Sequence, residues 1–131
     1  MSVWIKKYQG ILFAAIDYYC EKGRADALAL VKELKEKCDH SKDNDLVMLY
    51  LDCQLLYDIY IKKDITKIEP LKEMVETCEA EQFKVIHRIR LARLYDFAGK
   101  HKESRQELKK AYASANGSAK QRIDHILKKG W

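Results

Sequence analysis

Tyr19, Tyr57 and Tyr95 stand 38 residues apart, and their neighbours recur in the same register. Tyr18, Leu56 and Leu94 correspond, as do Ala15, Cys53 and Leu91, while Leu56-Tyr57-Asp58-Ile59 is echoed by Leu94-Tyr95-Asp96-Phe97. Gly23 and Gly99 share a position whose middle counterpart is Ile61. A period of this size marks helical arrays, in which one helix pair cannot bury its apolar face alone and must stack against the next.

Within each period the apolar residues step by three and four, as they do along one face of a helix. Residues 3–21 carry Trp4, Tyr8, Ile11, Leu12, Ala15, Ile16 and Tyr19 in this way, and residues 25–38 carry Leu28, Val31, Leu34 and Cys38. After a polar turn at residues 39–44, the stripe returns as Leu46, Leu49, Tyr50, Cys53, Leu56, Tyr57 and Tyr60. Asp64 is placed to cap a segment with Ile65, Ile68, Leu71, Met74, Val75 and Cys78 facing inward. Pro70, the only proline, denies a donor near its start and predicts a kink or a late beginning. Helices follow over about residues 82–98 and 102–115. Asn116-Gly117 then stops the chain, and Ser118 with Gln121 matches the capping box of a last helix holding Ile123, Ile126 and Leu127. The expected fold is all-α: about three helix pairs and a closing helix, in one domain over residues 1–131.

Composition agrees with this reading. Hydrophobic residues make up 47% and charged residues 34%, too apolar for disorder and too charged for a membrane protein. Lys6, Lys7, Asp17, Glu21 and Lys22 interrupt the apolar N-terminal segment well short of the roughly 20 residues that span a bilayer. The opening Met-Ser-Val-Trp-Ile-Lys-Lys has none of the layout of a secretory signal, so the expected location is the cytoplasm. Cys20, Cys38, Cys53 and Cys78 fall singly on helical segments and read as reduced, mostly buried thiols.

Residues 91–104, Leu-Ala-Arg-Leu-Tyr-Asp-Phe-Ala-Gly-Lys-His-Lys-Glu-Ser, with Leu108 and Ala111 beyond them, resemble a tetratricopeptide repeat. The likeness is specific in this third period and degenerate in the first two, and the period is longer than the roughly 34 residues usual for the family. It implies a right-handed stack of antiparallel helix pairs closed by a C-terminal capping helix. Ala92 and Tyr95 would then sit at the packing core, Gly99 at the turn, and Ser104, Leu108 and Ala111 on the returning helix. The same register puts Ile89, Arg93, Asp96 and Phe97 on the inner groove, with Leu51, Leu55, Asp58 and Ile59 one repeat earlier.

No catalytic frame stands out. His40, His87, His101 and His125 lack partners at ligand spacing, Cys38-Asp39-His40 sits in a polar turn, and there is no glycine-rich phosphate loop or activated nucleophile. Neither an enzyme nor a cofactor or metal site is expected. Charge is more informative. Residues 1–79 hold 12 Lys and Arg against 15 Asp and Glu, whereas residues 80–131 hold 13 against 5, an excess of +8. Lys84, Arg88, Arg90, Lys102, Arg105 and Lys109 compose the candidate basic patch.

The leading expectation is an adaptor that captures a peptide or helical segment of a partner protein, without membrane contact. The alternatives are nucleic-acid binding through the basic half, and a peptide-sensing regulatory fragment similar to the helical-repeat sensor of peptide-pheromone receptors. Trp4, Tyr50, Tyr60, Tyr112 and Trp131 form an apolar surplus that makes homo-oligomer formation through an end repeat a further expectation.

Overall fold

The computed structural model describes residues 54–131 and, before them, Ala25, Leu28, Ala29, residues 31–33 and Glu36. The chain divides into two compact units, Met1–Lys62 and Lys63–Trp131. Among the described residues every regular element is helical and there is no strand. None of these helices is long and apolar enough to cross a membrane.

In the first unit the described positions between 25 and 36 are all α-helical. Val31 is fully buried and Leu28 half-buried, while Ala25, Ala29, Lys32, Glu33 and Glu36 face outward, as the apolar spacing requires. Residues 54–56 are α-helical and run into a π-helical turn, Tyr57–Ile61, closed by the Lys62 amide on the Tyr57 carbonyl at 3.1 Å. Leu56, Ile59 and Tyr60 are buried there. The expected helix over residues 3–21, the repeat position Tyr19, the groove position Leu51, and Cys20, Cys38, Cys53, Trp4 and Tyr50 lie outside the described residues.

The second unit opens with Lys63, a non-glycine residue in the left-handed region at φ 50°. Asp64 caps a single 3₁₀ turn, Ile65–Lys67, by accepting from the Thr66 amide at 3.1 Å. Helix α1 then spans Ile68–Thr77. Pro70 falls in its first turn, where backbone amides have no partner within the helix, so the missing donor costs nothing and the late start follows. Ile68, Leu71 and Val75 are buried in the expected spacing. Ile65 and Met74 are not: the 3₁₀ turn rotates Ile65 out of the stripe to 52% exposure, and Met74 also stands outside. Cys78, expected inward, is a half-buried free thiol just past the helix end, its Sγ donating to the Ala80 carbonyl at 3.4 Å.

Helix α2 (Glu81–Phe97), helix α3 (His101–Ser114) and helix α4 (Gly117–Lys129) follow with short connections. The boundaries of α2 and α3 sit within one residue of expectation; α4 begins earlier, at Gly117, so Ser118, expected to cap it with Gln121, lies inside the helix, and Asn116 holds the cap position without a side-chain bond. Each helix packs on its sequence neighbour. Asp96 meets His101 and Arg88 meets Glu107, so α2 and α3 run antiparallel, and Arg105 meets the Leu127 carbonyl, so α3 and α4 do too.

Three helices share one core. Val85, Ile89 and Ala92 of α2 interlock with Leu108 and Ala111 of α3, Ala115 just past its end, and Ile123 and Ile126 of α4, with Ala119, Leu127 and Trp131 packed around them. Each large aliphatic side chain removed from water here contributes roughly 1.5–3 kcal/mol. The small Ala92 and Ala111 let the helix backbones approach. On its other side α2 packs on α1, and Leu91, Leu94 and Tyr95 are buried as well. Burial pushes the Tyr95 phenol above its ordinary range, with Lys72 of α1 pulling the other way.

Candidate functional site

The last turn of α2 brings Arg93, Asp96 and Phe97 onto one face, since steps of three and four residues are neighbours on a helix. The Arg93 guanidinium donates from Nη1 to Asp96 Oδ2 at 3.1 Å. Its central carbon lies 4.4 Å from the centroid of the Phe97 ring and 4.8 Å from that of Trp131. Cation–π contacts of this kind contribute ~0.5–2 kcal/mol, the upper end where water is displaced. The Lys63 ammonium adds a second cation 5.1 Å from the Phe97 centroid.

Two turns of backbone deliver the rest of the cluster. At the end of α2, Gly99 takes φ 76°. Its amide bonds the Asp96 carbonyl at 3.0 Å while the Lys100 amide bonds the Tyr95 carbonyl at 2.8 Å. This paired closure is the Schellman motif, and it requires a left-handed residue that glycine adopts without cost. The reversal sets His101, first residue of α3, against the site: its Nδ1 lies 2.6 Å from Asp96 Oδ1. At the end of α4, Gly130 takes φ 91° and ψ 176°, a region open essentially to glycine alone, with its amide on the Ile126 carbonyl at 2.8 Å. That bend directs Trp131 back towards α2. Asp96 is therefore held from both sides, by Arg93 and by His101, and in turn fixes the plane that the guanidinium offers to the aromatic rings.

Of the residues assigned to the groove, Arg93, Asp96 and Phe97 are thus together and half-buried. Ile89 is not available on a surface: at 1% exposure it belongs to the core shared by α2, α3 and α4. In the first unit, Leu55 is half-buried, while Asp58 and Ile59 are buried. Asp58 accepts from Gln54 Nε2 at 3.0 Å, a bond one helical turn long that keeps the buried carboxylate partnered.

The basic patch is divided. Arg90 is 1% exposed and is not a surface cation; α2 is covered on more than one side, so a position off its main apolar stripe is enclosed. Arg88 reaches across to Glu107 of α3 at 3.0 Å, and Lys110 also approaches that carboxylate, at 3.4 Å. Glu107 is 9% exposed, so its charge needs these partners. Arg105 donates to the Leu127 carbonyl at 3.1 Å, meeting one of the backbone acceptors that the end of α4 leaves open. Lys84 pairs with Glu81 at 3.8 Å. Lys102 and Lys109 face outward on α3.

Of the residues named for a surface apolar surplus, Tyr60 is buried, Trp131 half-buried and Tyr112 exposed beneath the Lys120 ammonium. Phe83, outside the expected set, is 42% exposed at the start of α2. Lys63, His101 and Trp131 were likewise not assigned to the site. Gly99 is the sequence signal that could have pointed to His101; Lys63 and Trp131 carry none, and only the backbone at Lys63 and Gly130 brings them to the site. Among the described residues no group of three or more His, Cys, Asp and Glu side chains is placed to hold a metal ion.

Compared with known proteins, the chain matches no family model, no curated protein and no solved structure.

Proposed function

We propose that this chain is an interaction module that takes up a segment of a partner protein on the surface formed by the end of α2. The observation that carries this reading is the half-exposed Arg93, Asp96 and Phe97 face, where an apolar ring lies beside a cation whose orientation is fixed before any partner arrives. Preorganised contacts of mixed apolar and charged character are what a peptide-binding surface needs, because ordering costs are met in the free protein. The exposed Phe83, Met74 and Tyr112 side chains add apolar area elsewhere on the same unit. The nearest-neighbour packing of α1 to α4, and the pair α2 and α3 joined through Gly99, support a tetratricopeptide-like stack with α4 as its cap.

The nucleic-acid alternative has less behind it. Arg90 is enclosed, and Arg88 and Arg105 are engaged with Glu107 and the Leu127 carbonyl, which leaves mainly lysines facing outward. The experiment is capture of partner proteins on immobilised wild-type chain and on the Arg93→Gln, Phe97→Ala double variant, with circular dichroism to show that both are folded. Capture that depends on the two side chains is expected; an unchanged set of bound proteins overturns the reading. Retention on RNA across a salt series separates the alternative, since phosphate contacts are strongest at low salt.

A further inference from the structure

The face proposed for a partner already has a side chain of this chain lying on it. Trp131 packs against the core shared by α2, α3 and α4 and places its indole over the Arg93 guanidinium. Helix α4 ends at Lys129, so one residue, Gly130, connects the indole to the helix. Nothing lies within 4 Å of where a Cβ would stand on Gly130; its backbone conformation, not lack of room, calls for glycine there. The other members of the site do not depend on the indole: Phe97 and Arg93 are on α2, and Asp96 is anchored by His101 from α3.

We propose that Arg93, Asp96 and Phe97 form a docking site for an aromatic side chain, that Trp131 is its intramolecular occupant, and that a tryptophan-bearing segment of a partner protein displaces it. The inference rests on the interaction-module reading and names the chemistry of its ligand. Three observations select an aromatic occupant. The guanidinium presents a flat, weakly hydrated face, which pairs with π surfaces better than with aliphatic ones. Asp96 takes up its charge along the edge, leaving the face for a ring. The group found on that face is an indole. The site is thus masked in the resting chain by a competitor held at the high local concentration of a one-residue tether. A swing about Gly130 exposes it, giving up the indole's packing on the core of α2, α3 and α4.

The test uses the full chain and N-acetyl-tryptophanamide as the probe, followed through the side-chain Nε–H resonance of Arg93 by NMR. Trp131→Ala is expected to give a saturable shift at Arg93, with an apparent affinity at least about tenfold tighter than in the wild type, where the tethered indole competes. Adding Arg93→Gln to that variant is expected to abolish saturation of the remaining α2 and α3 amide shifts. Should Trp131→Ala lose its helical circular dichroism, Gly130→Ala serves instead: it keeps the indole but strains its return, and is expected to bind the probe more tightly than wild type. Equal binding by wild type and variant, or no saturable shift in either variant, overturns the proposal. So does a wild-type dimer that the probe splits, because the occupant is then a second copy. Partner capture that depends on Phe97 and Arg93 while the probe fails to bind removes this inference and leaves the interaction-module reading standing.

Discussion

The chain closes a helix twice from nearly the same words, and the two closures differ. Leu56-Tyr57-Asp58-Ile59 and Leu94-Tyr95-Asp96-Phe97 both bury their leucine completely. Beyond that point the second segment has Gly99, and the helix ends in two short backbone bonds and an immediate reversal into α3. The first has Ile61 at the matching position. There the backbone widens into a π-helical turn, and the left-handed residue comes two positions later, at Lys63 with φ 50°. A lysine in that region carries about 1–2 kcal/mol of steric cost that a glycine does not. The stop with glycine is a clean reversal, and the stop without it passes through a π-helical turn and a strained lysine. The aspartates diverge with it: Asp58 is enclosed with Gln54, whereas Asp96 is left near the surface between Arg93 and His101.

The largest test of the equivalence is at its shared anchor. Leu56→Ala and Leu94→Ala should each lower unfolding free energy by ~2–5 kcal/mol in urea titrations, as deletions from closed cores do. A cost below about 1 kcal/mol at Leu56 would show that the two segments are alike in sequence only. Next comes the contrast at the stops. Gly99→Ala should cost about 1–2 kcal/mol, visible as a lower thermal midpoint, because no neighbour meets the added Cβ and the whole effect is left-handed backbone strain. Lys63→Gly should move the midpoint the other way, by the equivalent of ~0.5–1 kcal/mol, reduced by the lost cation over Phe97. If both glycine exchanges shift stability in the same direction, backbone conformation is not what separates the two ends.

The smallest effect is at Tyr95. Burial raises its phenol above the ordinary 10.0, so the folded state favours the neutral form. That contribution is complete below pH 10 and is lost as pH rises through the folded value. Tyr95→Phe should flatten the alkaline fall of stability while leaving the neutral range almost unchanged.

Much of the helical layout was legible because periodicity and glycine are local signals. The limits of α2 and α3, the late start at Ile68 and the turn at Gly99 all follow from residues within a few positions of one another. What was not legible depends on neighbours distant in sequence. Arg90 reads as a surface cation until the fold leaves it 1% exposed, and Ile89 reads as a groove residue until α4 joins the core. Ile65 fits the apolar stripe until the Asp64 cap winds a 3₁₀ turn beneath it. The site was half legible: Arg93, Asp96 and Phe97 share a helix face, but nothing near Trp131 in the sequence announces that Gly130 returns it to Arg93.

The ties between α2, α3 and α4 sort the cations by chemistry. Two arginines reach across helices, Arg88 to Glu107 and Arg105 to the Leu127 carbonyl, while Arg93 pairs with Asp96 inside α2; the lysine pairs Lys72–Glu69, Lys84–Glu81, Lys110–Glu107 and Lys128–Asp124 each close within one helix. In residues 80–131 the five arginines match the five acids in number, so the whole +8 excess belongs to the eight lysines. Acetylation, which neutralises amines and spares guanidinium groups, would cancel the net charge of this half of the chain and leave its interhelical arginine ties in place.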